Sequence, residues 1–150
     1  MSTRTLFTFR VFAFFCLWLQ WLFDLYWQCT YDSLCIEVQY FTIWGQCMTT
    51  FTYTVLILAH IWSEKSDPND PKMMKWWKVS SYLWTMVFMW DIFISMMFWG
   101  FLLPTDFQDQ FANHPWGETK VFSDHIIPCF FVTCDWFLNG IIIERNQVVQ

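Results

Sequence analysis

Apolar residues along this chain come in four long runs, separated by short polar segments. The runs fall near residues 6–28, 38–62, 79–103 and 120–143. Each is about 20 to 25 residues long, enough for a helix rising about 1.5 Å per residue to cross about 30 Å of hydrocarbon. Stretches such as Val11 to Leu19 and Met86 to Trp90 do not alternate with polar residues, which excludes the strands of a membrane barrel. Between the runs lie a polar turn from Cys29 to Glu37, a Lys-rich loop from Ser63 to Lys78 containing Asp67-Pro68-Asn69-Asp70-Pro71, and an acidic loop from Pro104 to Glu118. Asx-Pro steps stop helices. The pattern therefore predicts an all-α fold, an integral membrane four-helix bundle forming a single domain over residues 1–150.

Within the runs, small and polar residues step by three or four. Arg10, Ala13, Leu17, Gln20, Asp24 and Gln28 do so in the first, and Thr42, Gly45, Thr49 and Thr52 in the second. The third offers Ser81, Trp84, Phe88, Asp91 and Ser95, and the fourth His125, Pro128, Val132, Asp135 and Asn139. Stripes of this spacing face neighbouring helices rather than lipid, and the Ser and Thr positions read chiefly as packing and hydrogen-bonding glue. Ionisable groups are different, because a charge at the bilayer centre costs about 3 kcal/mol on insertion scales unless it is paired or wet. Arg10, Asp91 and Asp135 are thus singled out as intramembrane ionisable residues. Three arrangements accommodate them: acids that stay neutral, an Arg10–Asp135 ion pair, or a water-filled cavity that passes protons.

Composition removes the soluble alternative. Hydrophobic residues make up 56% of the chain and Phe, Trp and Tyr 23%, while 14% carry a charge, against about 25% in a soluble domain. With 12 Trp and 18 Phe, more apolar surface exists than one small core can hide. The mean hydropathy of +0.31 is modest only because that scale scores Trp and Tyr as polar, whereas the bilayer interface welcomes them.

Charge sets an orientation. Arg4, Arg10, Lys65, Lys72, Lys75, Lys78 and Arg145 share one side of a four-span topology, whereas Asp32, Glu37, Asp106, Asp109 and Glu118 lie on the other, with Lys120 at their edge. The positive-inside rule then puts both termini on the cytoplasmic side, or on the matrix side in a mitochondrion. Trp27 and Trp116 are expected to anchor the outer interface, and Trp62, Trp76 and Trp77 the inner one. A net charge of −5 polarised in this way leaves no continuous basic face, so nucleic acid is excluded as a partner. The expected partners are membrane lipids and other membrane protein subunits. The first run is too long for a signal-peptide core and lacks a small-residue cleavage site, so it reads as a retained span.

Depth along the runs turns the stripes into a candidate site. Asp24, Thr42, Asp124 and His125 each lie four or five residues in from the outer boundary, about 6–8 Å at the helical rise. An imidazole, two carboxylates and a hydroxyl in one layer are the components of acyl transfer. The plainer alternative is an Asp-His pair that neutralises polar helix ends near headgroup water. Metal and haem chemistry find no support: the cysteines at 16, 29, 35, 47, 129 and 134 show no CxxC or zinc spacing, His60 and His125 fall at opposite ends of the spans, and His114 is in an outer loop. No P-loop, GxGxxG, HExxH or GxSxG occurs, so no cofactor and no metal is expected. Cys29 and Cys35 share the outer turn and would close a small disulfide on an oxidising side.

Tyr40-Phe41-Thr42-Ile43-Trp44 opens a span. A charged loop, a Trp-rich span and an acidic loop follow, then Asp124-His125-Ile126-Ile127-Pro128 and Asp135-Trp136. This succession, from about residue 38 to 140, resembles the androgen-induced protein family of polytopic membrane hydrolases, which cleave fatty acid esters of hydroxy fatty acids through an intramembrane Thr and a His. The resemblance implies Thr42 as nucleophile and His125 as base, with Asp124 and Asp24 as candidate orienting acids. The His-to-Pro spacing is tighter than in typical members, and four spans stand where the family usually has two more. The expectation is therefore a noncatalytic structural subunit of a larger membrane complex, such as a mitochondrial energy-transducing assembly, descended from that family. The alternative is an intramembrane threonine hydrolase of lipid esters. The mitochondrial inner membrane and the endoplasmic reticulum are the expected locations.

Overall fold

The computed structural model describes residues 3–31, 41–65, 67, 70–102 and 117–139. They form four helices: α1 (Thr3–Tyr31), α2 (Phe41–Ser63), α3 (Pro71–Met97) and α4 (Gly117–Asn139). A wider π-helical turn, Phe98–Leu102, prolongs α3. No strand occurs among the described residues, and the fold is all-α. Each helix packs on the next, α4 closes back on α1, and α2 also touches α4 across the middle.

The largest departure from the expected boundaries is at α3. The segment up to Lys78 reads in sequence as loop, yet the helix begins at Pro71. Asp70 is extended (φ −64°, ψ 118°), its side chain accepts the Lys72 backbone N–H at 2.9 Å, and Pro71 follows in the first helical position. An Asp before a Pro is a helix start as readily as a stop, because the acid caps a free N–H and the ring pre-sets the first helical φ. Lys72, Lys75 and Lys78 therefore ride on the first two turns of a helix.

The stripes of α1 and α4 are the inner faces of the bundle. Arg10, Ala13, Leu17, Gln20 and Asp24 are all buried, as are His125, Pro128, Val132 and Asp135. On α3 the buried line runs through Met73, Ser80, Trp84, Val87 and Asp91, so Ser80 rather than Ser81 faces inward. Trp27, expected at the outer interface, is buried, whereas Trp62, Trp76 and Trp77 are exposed; Trp116 and Cys35 lie outside the described residues. Ala13, Leu17, Tyr53, Val87, Phe131 and Val132 form the apolar centre. Gly45 permits the close contact of α2 with α3: a Cβ there would stand 2.6 Å from Ile94 Cδ1 and 3.1 Å from the Trp90 ring.

Polarity is inverted relative to a water-soluble bundle. Arg10, Asp24, Asp91, Lys120, Asp124 and Asp135 are buried, while Phe12, Phe15, Leu19, Met89, Met96 and Phe137 are more than half exposed. Two helices, over Arg4–Trp27 and Pro71–Phe101, are long and apolar enough to cross a membrane, and their most apolar windows are only 22% and 28% buried. The other two, each 23 residues long, carry Thr, Gln, Lys, Asp and His that lower their hydropathy, but many of those side chains point into the bundle.

Candidate functional site

Among the described residues, three polar clusters occupy the interior. In the half nearer the chain termini, Arg10 Nε and Nη2 donate to the two carboxylate oxygens of Asp135 at 2.9 and 3.0 Å, with the side chains 2% and 0% exposed. Of the three arrangements open to these residues, the ion pair is the one adopted. Both acceptor oxygens are used, as a pair cut off from water requires. Near the middle, Thr49 Oγ1 lies 2.7 Å from Asp91 Oδ2 and 2.9 Å from the Gly45 carbonyl. The hydroxyls of Thr50 and Thr54 donate to the carbonyls one turn back, the usual way a helix hides hydroxyls from an apolar surround.

The third cluster lies at the opposite end and joins α1, α2 and α4. Lys120 Nζ donates to Asp124 Oδ2 at 3.0 Å and stands 4.0 Å from Asp24 Oδ1. Gln20 Nε2 donates to Asp124 Oδ1 at 3.0 Å, and Gln46 Nε2 to Asp24 Oδ2 at 3.1 Å. The two acids foreseen as orienting groups for His125 are thus bonded to Lys120, Gln20 and Gln46. Lys120, expected at the edge of the acidic loop, is buried inside the bundle. Its spacing of four from Asp124, and that of Gln46 from Thr42, were the available signals, since residues at i and i+4 share a helix face.

Beside this cluster, Thr42 and His125 meet. Thr42 Oγ1 lies 3.3 Å from His125 Nε2, and the pair is partly buried. Several local choices hold the imidazole. Its ring stacks on Phe98, centroids 3.7 Å apart and planes 19° from parallel, and its backbone carbonyl accepts the Ser95 hydroxyl at 2.7 Å. Phe98 is where α3 widens into the π turn, its N–H reaching both the Ile94 and Ser95 carbonyls; such turns re-aim side chains that a regular helix would carry past the target. Pro128, inside α4, removes the N–H that would have bonded the Asp124 carbonyl, loosening the backbone beside His125. Thr42 stands in the first turn of α2, where backbone N–H groups have no acceptor within the helix. A second buried histidine among the described residues, His60, stacks on Phe7 with centroids 4.6 Å apart. It lies 18 residues from Thr42 along α2, about 27 Å at the helical rise.

Among the described residues, no group of three His, Cys, Asp or Glu side chains is placed to hold a metal ion. A groove of about 410 Å³ on the outer surface, lined by Trp18, Trp21, Leu25, Cys47, Thr50, Phe51 and Thr54, separates α1 from α2. Compared with protein-family models, curated proteins and solved structures, the chain matches none.

Proposed function

We propose that this chain is an integral membrane bundle, both termini on the side of the Lys-rich turn, in which Thr42 and His125 form an acyl-transfer centre for lipid esters. The observation that carries this reading is the 3.3 Å approach of Thr42 Oγ1 to His125 Nε2, two residues 83 positions apart and singled out from sequence for the same chemistry. With its Nδ1 protonated, His125 accepts the Thr42 hydroxyl proton at Nε2 as Oγ1 attacks the ester carbonyl. Collapse of the tetrahedral intermediate expels the alcohol, which takes that proton from His125, and leaves an acyl-threonine. Water, deprotonated by the same imidazole, then releases the acid and restores the hydroxyl. Donors for the developing oxyanion are available in the first turn of α2, whose N–H groups point toward Thr42's end of the helix. The apolar groove lined by Trp18, Trp21 and Phe51 suits an acyl chain entering from lipid. The inverted distribution of buried charge and exposed aromatic residues supports the membrane setting, since water would not tolerate that much apolar surface. The resemblance to the androgen-induced family is consistent with this chemistry.

Labelling with a fluorophosphonate and hydrolysis of a lipid ester test the proposal: both are expected in the wild type and lost in Thr42→Ala and His125→Ala. Equal labelling and turnover in wild type and Thr42→Ala would reject it.

A second reading, a noncatalytic subunit of a larger membrane complex, is favoured by the exposed aromatic belt that includes Trp18, Trp44, Trp99 and Phe101. Native mass on gently solubilised material distinguishes it. A stoichiometric partner set supports the subunit, and a free monomer or simple dimer removes that support.

A further inference from the structure

The cluster of Gln20, Asp24, Gln46, Lys120 and Asp124 does not balance. Among the described residues it holds two carboxylates and one ammonium, one positive charge short of neutrality. Its hydrogen bonds fall short in the same sense. Gln20 Oε1, Asp24 Oδ1 and Gln46 Oε1 are buried with no hydrogen-bond partner, in residues 5%, 2% and 1% exposed. All three atoms are acceptors. The amide orientations are not interchangeable: each Gln turns its Nε2 to a carboxylate, and a flipped amide would set oxygen against oxygen. Gln20 stands four residues from Asp24 on α1, and Gln46 of α2 is bonded to Asp24, so the three residues that carry these oxygens form one cluster.

Leaving three acceptors and a net charge in such a place is expensive. A proton on Asp24 corrects the charge but supplies one donor for three acceptors. A water molecule supplies two donors and leaves the charge. A monovalent cation answers both counts, since it coordinates several oxygens at once and restores neutrality. Two amide oxygens and one carboxylate oxygen are hard ligands suited to an alkali ion, and without thiolate or imidazole they do not suit zinc or copper. We infer that Gln20, Asp24 and Gln46 form a binding site for one alkali-metal cation inside the bundle, tying α1 to α2 beside the Lys120–Asp124 pair of α4. The site stands whether Thr42 is catalytic or not.

Binding of ²²Na⁺ to the purified full-length protein in detergent tests this, with choline chloride holding ionic strength constant. Saturable uptake approaching one ion per chain is expected, displaced by unlabelled NaCl or KCl but not by choline. Gln46→Met and Gln20→Met should each weaken it by at least about tenfold. A second readout protects against variants that fail to fold: the wild-type unfolding temperature should climb with NaCl or KCl and not with choline. No saturable binding, uptake unchanged in both Gln variants, or equal stabilisation by choline would each overturn the inference. So would full stabilisation by acid in the absence of alkali ions, because a proton would then occupy the place assigned to the cation.

Discussion

Near the chain termini, Arg10 meets Asp135 through two parallel bonds that use both carboxylate oxygens. At the opposite end, Lys120 is shared between Asp124 at 3.0 Å and Asp24 at 4.0 Å, and three oxygens, Asp24 Oδ1 facing Lys120 among them, accept no hydrogen bond. Both regions seal charge away from water, but one is closed and the other is short of a positive partner. Among the described residues, the buried atoms without a hydrogen-bond partner nearer the middle include the hydroxyls of Thr52 and Tyr53 and the indole of Trp84, all able to donate. In the far cluster the atoms left without one are Gln20 Oε1, Asp24 Oδ1 and Gln46 Oε1, all acceptors. A balanced pair can only hold helices together. A surplus of one kind of group needs something from outside, and that end is also where Thr42 and His125 come together.

The contrast can be broken most forcefully at Arg10. Arg10→Ala strands a fully buried carboxylate, and an SDS unfolding titration should show a loss of about 3–5 kcal/mol. Replacing both partners, Arg10→Met with Asp135→Leu, should recover most of that, since no charge is then left unpaired. A cost under about 1 kcal/mol for Arg10→Ala would mean the closed pair does not brace the bundle. Lys120→Met comes next, with about 2–3 kcal/mol expected in the same titration, because only its bond to Asp124 is short. If it were to cost as much as Arg10→Ala, the two ends would differ less than their geometry implies. Thr42→Ala should have the smallest effect, within about 1 kcal/mol, while removing fluorophosphonate labelling altogether. Stability and activity would then part company at the end that is left unbalanced.

Much of this was legible along the chain. The polar steps of α1 and α4 correctly mark the inward faces, because a helix repeats every 3.6 residues and side chains three and four apart share one face. Thr42 and His125 were placed at one depth by counting residues from the helix ends. Lys120 was harder to read: in sequence it borders an acidic loop, and nothing local says that its side chain turns into the bundle to meet Asp24 of another helix. Gln20 and Gln46 are unremarkable in composition and matter only because each donates to a carboxylate on a different helix. Asp70-Pro71 was ambiguous, since the same two residues end one helix or begin another depending on where the chain goes next.

The sequence by itself determined that four helical segments form and which faces of α1 and α4 turn inward, because these follow from helical period and the spacing of polar residues along it. The tertiary structure alone decided the partners: Arg10 with Asp135, Lys120 between two acids, His125 stacked on Phe98 with Thr42 at its edge. Residues more than 80 positions apart meet through the azimuth and axial shift of whole helices. Those are set by close approaches such as Gly45 against Ile94, and no local pattern encodes them.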